Sequence, residues 1–190
     1  MYTLLSGLYQ YMMQKPTYRV LIVGLDGAGK TTFFEQTKAK EGLRSMKLEK
    51  IPPTIGLNFA KIERKAGEFT FWDVGGQNVL RKIWDKYYSE CNAVIFMIDG
   101  CDHIRFEEVS ETLDKMYSRD NPNDLVDLPL LFLVNKKDSP EFRGLDAVKQ
   151  SLKLNEVHCT KAIEIKAISA FKSEGIDAAL EWVYEHVPKN

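Results

Sequence analysis

The stretch Arg19-Val-Leu-Ile-Val-Gly24-Leu-Asp-Gly-Ala-Gly29-Lys30-Thr31-Thr32 decides the fold. A short apolar run gives way to a glycine-rich loop and then, from Lys30 to Ala39, to a helical pattern. That order of strand, loop and helix is the context in which GxxxxGK followed by Thr or Ser holds phosphate. Gly24, Gly27 and Gly29 let successive backbone N–H groups turn onto an anion, and Asp26, Ala28 and Thr32 belong to the same cradle. The helix N-terminus adds positive potential and Lys30 a cation.

Outward from this loop, apolar runs of strand length alternate with helical patterns, which predicts an α/β fold. Strands are expected at Arg19 to Gly24, Leu57 to Glu63, Glu68 to Asp73, Ala93 to Asp99, Leu130 to Asn135 and Ile163 to Ile168. Helices are expected at Lys30 to Ala39, Arg105 to Tyr117, Leu145 to Leu152 and Gly175 to His186, beside an N-terminal one. The unbroken apolar runs Val94 to Ile98 and Leu130 to Val134 predict burial on both faces, as in central parallel strands. The link Lys65-Ala-Gly67 is too short for a crossover helix, so its two strands pair antiparallel, at one sheet edge. The expected whole is a six-stranded, mostly parallel sheet flanked by about five helices.

Four further stretches fall where chemistry needs them. Thr31 offers a hydroxyl to Mg²⁺, an ion that takes octahedral oxygen ligation, and Thr54 in Ile51-Pro-Pro-Thr-Ile-Gly56 offers a second. Asp73 ends an apolar strand and can face that metal, while Gly76 can present a bare N–H to a γ-phosphate. Gln77 is donor and acceptor at once, suited to orienting a water for in-line attack. Asn135-Lys136-Lys137-Asp138 closes an apolar strand, where open α/β sheets bind ligands. The Asp138 carboxylate can accept from N1–H and the exocyclic amine of guanine, a pair that adenine lacks. Asn135 braces the loops, the Lys136 stem covers the base, and Ser169-Ala170 puts the Ala170 N–H near guanine O6. GTP or GDP with Mg²⁺ is the implied ligand.

Composition narrows the setting. A formal net charge of -1 with scattered Lys and Arg makes nucleic acid a poor partner. Cys91, Cys101 and Cys159 lack metal-binding spacing and read as reduced thiols of the cytoplasm. No apolar run reaches the roughly 18 residues that span a bilayer.

With these motifs placed, the chain resembles the small GTPases. Gly24 to Thr31, Pro53-Thr-Ile-Gly56 and Trp72-Asp-Val-Gly-Gly-Gln77 are similar to the Arf branch rather than to Ras or Rab. Gln77 argues against the Sar branch, which carries His there, and Val-Pro-Lys-Asn190 offers no cysteine for prenylation. The resemblance implies the P-loop small GTPase fold over residues 18–190, after an amphipathic helix over 1–17. It implies a monomeric switch that hydrolyses GTP slowly to GDP and phosphate, with an exchange factor, a GTPase-activating protein and effectors as partners. It also implies that the hairpin between the switch segments shifts register on GTP binding and expels the N-terminal helix. Leu57, Trp72 and Tyr87 match the family's exposed effector triad, although Arf proteins proper carry Phe where Leu57 stands.

Tyr2 excludes the N-myristoylation used by typical Arf proteins, so another anchor is expected. At about 100° per residue, Tyr2, Leu4, Leu5, Leu8, Tyr9 and Met12 share one arc, opposite Thr3, Ser6 and Gln10. The start Met1-Tyr2-Thr-Leu-Leu-Ser-Gly-Leu is most similar to the Arf-related subfamily. That implies an acetylated N-terminus received by a Golgi membrane protein, a location on the cytosolic face of Golgi and trans-Golgi membranes, and a role in vesicle traffic through recruitment of downstream factors. Two alternatives stay open: a GTP-binding module with negligible hydrolysis, and an Arf-like GTPase of ciliary or microtubule pathways.

Overall fold

The computed structural model describes residues 15–117, 124–157, 159 and 161–188. Its elements run β1 (Thr17–Val23), α1 (Lys30–Lys40), β2 (Leu57–Arg64), β3 (Gly67–Val74), α2 (Asn78–Arg81), α3 (Asp85–Tyr88), β4 (Ala93–Asp99), α4 (Phe106–Tyr117), β5 (Leu130–Asn135), α5 (Leu145–Ser151), β6 (Ile163–Ala167) and α6 (Ile176–His186). The strands form one six-stranded sheet in the order β2-β3-β1-β4-β5-β6. All pairings are parallel except β2 with β3, which runs antiparallel from Leu57↔Val74 to Arg64↔Gly67. The edge hairpin expected from the short link is there, with Lys65-Ala66 as its turn and Gly67 already in β3. The helical patterns within 18–190 are all present, and two single turns that no periodicity announces, α2 and α3, are added. The expected N-terminal helix with Tyr2, Leu4, Leu5, Leu8, Tyr9 and Met12 lies outside the described residues.

Strand periodicity sorts the core onto two faces. Val20, Ile22, Ile95, Met97 and Leu133 point to one side, where Phe33 and Phe34 of α1 and Leu180 and Val183 of α6 cover them. Leu21, Val23, Val94, Phe96 and Phe132 point to the other, against Val109, Leu113 and Met116 of α4, Val148 of α5 and Trp84. Burial on both faces is why β4 and β5 are apolar without alternation. The chain leaves β1 toward β3 on one side and β4 on the other, so the loop after β1 sits at the point where the winding reverses. In open α/β sheets a ligand crevice opens there, beyond the carboxyl ends of the strands.

Candidate functional site

The loop after β1 follows its glycines. Gly29 caps α1 in the left-handed region at φ 91, and a Cβ on it would meet Asn135 Nδ2 at 2.2 Å, so no larger residue fits. Asp26, Gly27, Gly29, Lys30, Thr31 and Thr32 line a cavity of about 350 Å³. Its facing wall is Ile51 to Thr54 with Gly76 and Gln77. Gly24 and Ala28, expected in the cradle, do not line this cavity. Gly24 lies against the Met97 carbonyl, and Ala28 is buried with its own carbonyl accepting from Asn135. The Asp26 side chain likewise turns away, accepting from both terminal nitrogens of Arg105. The Asp26 backbone nitrogen lies beside Gly76.

Lys30 is buried, and its Nζ donates to the Leu25 carbonyl at 2.8 Å. Burial pushes its ammonium down to about 8, partly offset by the Asp73 and Asp26 carboxylates. A phosphate in the cavity would add a further counter-charge beside this buried cation. Beneath it, the Thr31 and Thr54 hydroxyls lie 2.6 Å apart and share a hydrogen bond. Both also lie within hydrogen-bond distance of Asp73 Oδ2, at 2.9 and 3.2 Å, so that two hydroxyl protons are shared among three contacts, and Asn58 Nδ2 donates to the same oxygen at 3.3 Å. Asp73 is fully buried, and its Oδ1 has no protein partner among the described residues. Burial raises the Asp73 carboxyl above its ordinary value, while Thr31, Lys30, Asn58 and Thr54 pull it back.

Two hydroxyls converging over a buried carboxylate with a spare oxygen are hard donors of the kind Mg²⁺ takes, so the residues fit the ion. Among the described residues no group of three or more His, Cys, Asp or Glu could hold a metal. An ion here would therefore draw its remaining ligands from phosphate and water, the usual habit of Mg²⁺.

The base-side residues form a second cluster joined to the first through Asn135. That side chain is buried, donates to the Ala28 carbonyl at 2.9 Å and accepts from the Ala170 N–H at 2.9 Å. Lys136 adopts φ 68, a left-handed conformation that turns the chain sharply after β5, and its ammonium pairs with Asp99. A hydrogen bond from Ser169 holds the Asp138 carboxyl below its ordinary range, with Lys172 and Lys136 adding to the effect. Asp138 thus stays an acceptor at the rim, as reading two adjacent donors on a base requires.

Gly76 is buried against the loop: a Cβ there would lie 2.4 Å from Gly24 O and from Lys30 Nζ. Gln77 is exposed at the cavity mouth, immediately before α2. Several residues here escaped the motifs. Trp84 Nε1 donates to the Gly75 carbonyl at 3.0 Å, and Arg81 Nε to the Gly76 carbonyl at 2.8 Å. Asp99 orients Lys136 from the end of β4, the same strand-end placement that marked Asp73 and Asn135 and could have marked it too. Of the expected triad, Trp72 and Tyr87 meet edge to face with centroids 5.5 Å apart, and Leu57 packs half-buried on the same core. Ile55, Phe59 and Val79 are more exposed than any of the three.

Loops at the carboxyl ends of a mostly parallel sheet bring a phosphate cradle, a hydroxyl pair and a base-reading turn to one rim, which is the layout of a small GTPase. Comparison with known proteins places the chain within that class. It belongs to the ADP-ribosylation factor family, which matches residues 4–187. It is 40% identical over 197 aligned positions to ADP-ribosylation factor-related protein 1 of Rattus norvegicus, covering 100% of this chain and 94% of that protein. It is 38% identical to ADP-ribosylation factor-like protein 3 of Saccharomyces cerevisiae, covering 100% and 96%. Among solved structures it is similar to the Arl6 BBS3 small GTPase from Trypanosoma brucei with bound nucleotide analogue GppNp. The TM-score is 0.74 with 28% identity, over 90% of this chain and 96% of that one. The protein is an Arf-like enzyme that hydrolyses GTP. Small GTPases of this fold bind guanine nucleotide and Mg²⁺, and the family is regulated by exchange factors, activating proteins and effectors.

Proposed function

We propose that this GTPase is a switch on the cytosolic face of Golgi and trans-Golgi membranes, where it governs vesicle traffic by recruiting downstream factors. The observation that carries the switch is the meeting of Thr54 and Gly76, from segments outside the phosphate loop, with Thr31 and Lys30 inside it. Two walls drawn onto one cradle can report a third phosphoryl group, because that group is what both would grip. In this reading the loop N–H groups of Asp26, Gly27 and Gly29 hold the phosphates and Lys30 neutralises them. Asp138 and the Ala170 N–H read the guanine edge, and the Lys136 stem, drawn toward Asp99, covers its face.

When bound, Mg²⁺ would be held by Thr31 and Thr54 above Asp73 and would offset charge on the phosphate oxygens. Gly76 N–H donates to the γ-phosphate, and Gln77 orients the attacking water without taking its proton. An arginine supplied by an activating protein would add about 10³ to 10⁵ in rate. Leu57, Trp72 and Tyr87, extended by the exposed Phe59, form the effector face. The compartment rests on the start Met1-Tyr2-Thr-Leu-Leu-Ser-Gly-Leu and on full-length similarity to ADP-ribosylation factor-related protein 1.

The test has two arms. Purified protein should carry GDP or GTP, and a fluorescently tagged chain should mark the Golgi until Leu4, Leu5 and Leu8 become Asp, when it should turn diffuse with nucleotide binding intact. Preparations free of nucleotide would overturn the assigned nucleotide roles, and a tagged wild type on another compartment would overturn the Golgi assignment.

A further inference from the structure

A chain of charged side chains runs behind the cavity and reaches its lining only at Asp26. Arg81, at the end of α2, donates through Nε to the Gly76 carbonyl and through Nη2 to Glu108 Oε1 at 2.7 Å. Glu108, on α4, accepts from Arg105 Nε at 2.8 Å through its other oxygen. Arg105 in turn donates to the Asp26 carbonyl at 3.0 Å and to the Asp26 carboxylate at 2.8 and 3.4 Å. One carboxylate thus bridges two arginines: Arg81 grips the segment carrying Gln77, Arg105 grips the phosphate loop, and Arg81 also pairs with Asp26 at 3.6 Å. The Arg81 side chain is only 14% exposed, so the end of the network that meets the Gly76 carbonyl is shielded from water, while the Arg105–Asp26 end, with Asp26 at 49%, is open to it. The arginines hold the Glu108 carboxyl below its ordinary range, Arg105 most strongly, and Arg105 does the same to Asp26.

Peptide geometry shows what the grip does. In a planar trans peptide the C=O and the following N–H point in opposite directions. Trp84, drawing the Gly75 carbonyl toward α3, therefore aims the Gly76 N–H the other way, away from α3. Arg81, drawing on the Gly76 carbonyl, sets the next peptide plane and with it the direction in which Gln77 leaves the chain. A single hydrogen bond to a flexible arginine would hold that plane weakly. Glu108 makes it firm by fixing the guanidinium with a charge-assisted bond.

We propose that Glu108 is a positioning residue for GTP hydrolysis, acting through Arg81 on the Gly76-Gln77 peptide and through Arg105 on Asp26. The proposal rests on the reading of Gln77 as the residue that orients water. It makes the hydrolytic geometry depend on α4, an element whose described side chains contribute nothing to the cavity lining.

The experiment is single-turnover hydrolysis by the full chain loaded with GTP and Mg²⁺, paired with release of a fluorescent GDP. Glu108→Gln, which removes the charge at nearly constant shape, should slow hydrolysis about tenfold while GDP release stays within about twofold. Arg81→Lys, which cannot fork between the carbonyl and Glu108, should slow it similarly. The double variant should be no slower than either single one, because the two act as a unit. Glu107→Gln, the exposed neighbour, should hydrolyse at the wild-type rate. If Glu108→Gln and Arg81→Lys hydrolyse like wild type while Gln77→Leu is slow, the clamp is wrong and the assignment of Gln77 stands. If Gln77→Leu itself keeps the wild-type rate, both fall. GDP release that quickens as much as hydrolysis slows would make the network a structural brace and overturn the proposal.

Discussion

Replacing Gly76 by alanine tests whether the hydrolytic site depends on how closely its second wall approaches the phosphate loop. The added Cβ would sit 2.4 Å from Gly24 O, 2.4 Å from Lys30 Nζ and 2.6 Å from the Asp26 N. Carbon packs against such atoms at about 3.5 Å, so the peptide must retreat by roughly 1 Å. The lysine tip can shift, but two of the three obstacles are backbone of the phosphate loop. Retreat withdraws the Gly76 N–H from the γ-phosphate position and carries Gln77 away from the attacking water. A misplacement of about 1 Å costs on the order of 10²-fold in rate, which is the loss expected in single-turnover hydrolysis. GDP has no third phosphoryl group for Gly76 to touch, so its affinity, read by displacement of a fluorescent GDP, should stay within about twofold. Hydrolysis within tenfold of wild type, or a GDP affinity falling in step with the rate, would refute the reasoning.

Three further outcomes follow from the same geometry. Asn135→Ala leaves the Ala28 carbonyl and the Ala170 N–H buried without a partner, and should lower stability by about 2–6 kcal/mol, read as a drop in the thermal midpoint of the GDP-loaded protein. Asp138 has its carboxyl depressed by the Ser169 hydroxyl, so the acceptor persists above that lowered value and is lost only as pH falls through it. The preference for GDP over IDP, which lacks the exocyclic amine, should therefore stay flat from pH 8 to 5, and Ser169→Ala should move its acid limb upward. Burial pushes the Cys91 thiol up to about 12, so at pH 8 iodoacetamide should label Cys91 only after denaturation, as peptide mass spectrometry would show.

How far the amino-acid pattern carried depended on how local each signal was. β4 and β5 were legible to the residue because burial on both faces leaves an unbroken apolar run bounded by polar ends. Asp73 and Asn135 stood out for the same reason, as polar residues closing such runs, and both proved buried and hydrogen-bonded to the loops around them. Asp99 carried that signature equally but belonged to no motif, so its hold on Lys136 emerged only from the structure. The single turns α2 and α3 are too short for a helical period to register, and tertiary contacts hold them, Trp84 above all, whose ring is fully buried.

The network behind the cavity was illegible for a different reason. A Glu or Arg on a helix reads as a solvated face, and nothing local says that Glu108 will meet Arg81 across 27 positions or that Arg105 will meet Asp26 across 79. Such pairings are consequences of the sheet order, which sets α4 beside the hairpin's exit and the loop after β1. The cradle itself is different in kind: Gly27, Gly29, Lys30 and Thr31 are near neighbours in the chain and line one cavity together. Residues that contact a ligand together tend to be written together, and residues that hold those in place are written wherever the fold can bring them. On that logic the sequence exposes what touches GTP, while the side chains that time its hydrolysis have to be sought in the elements behind it.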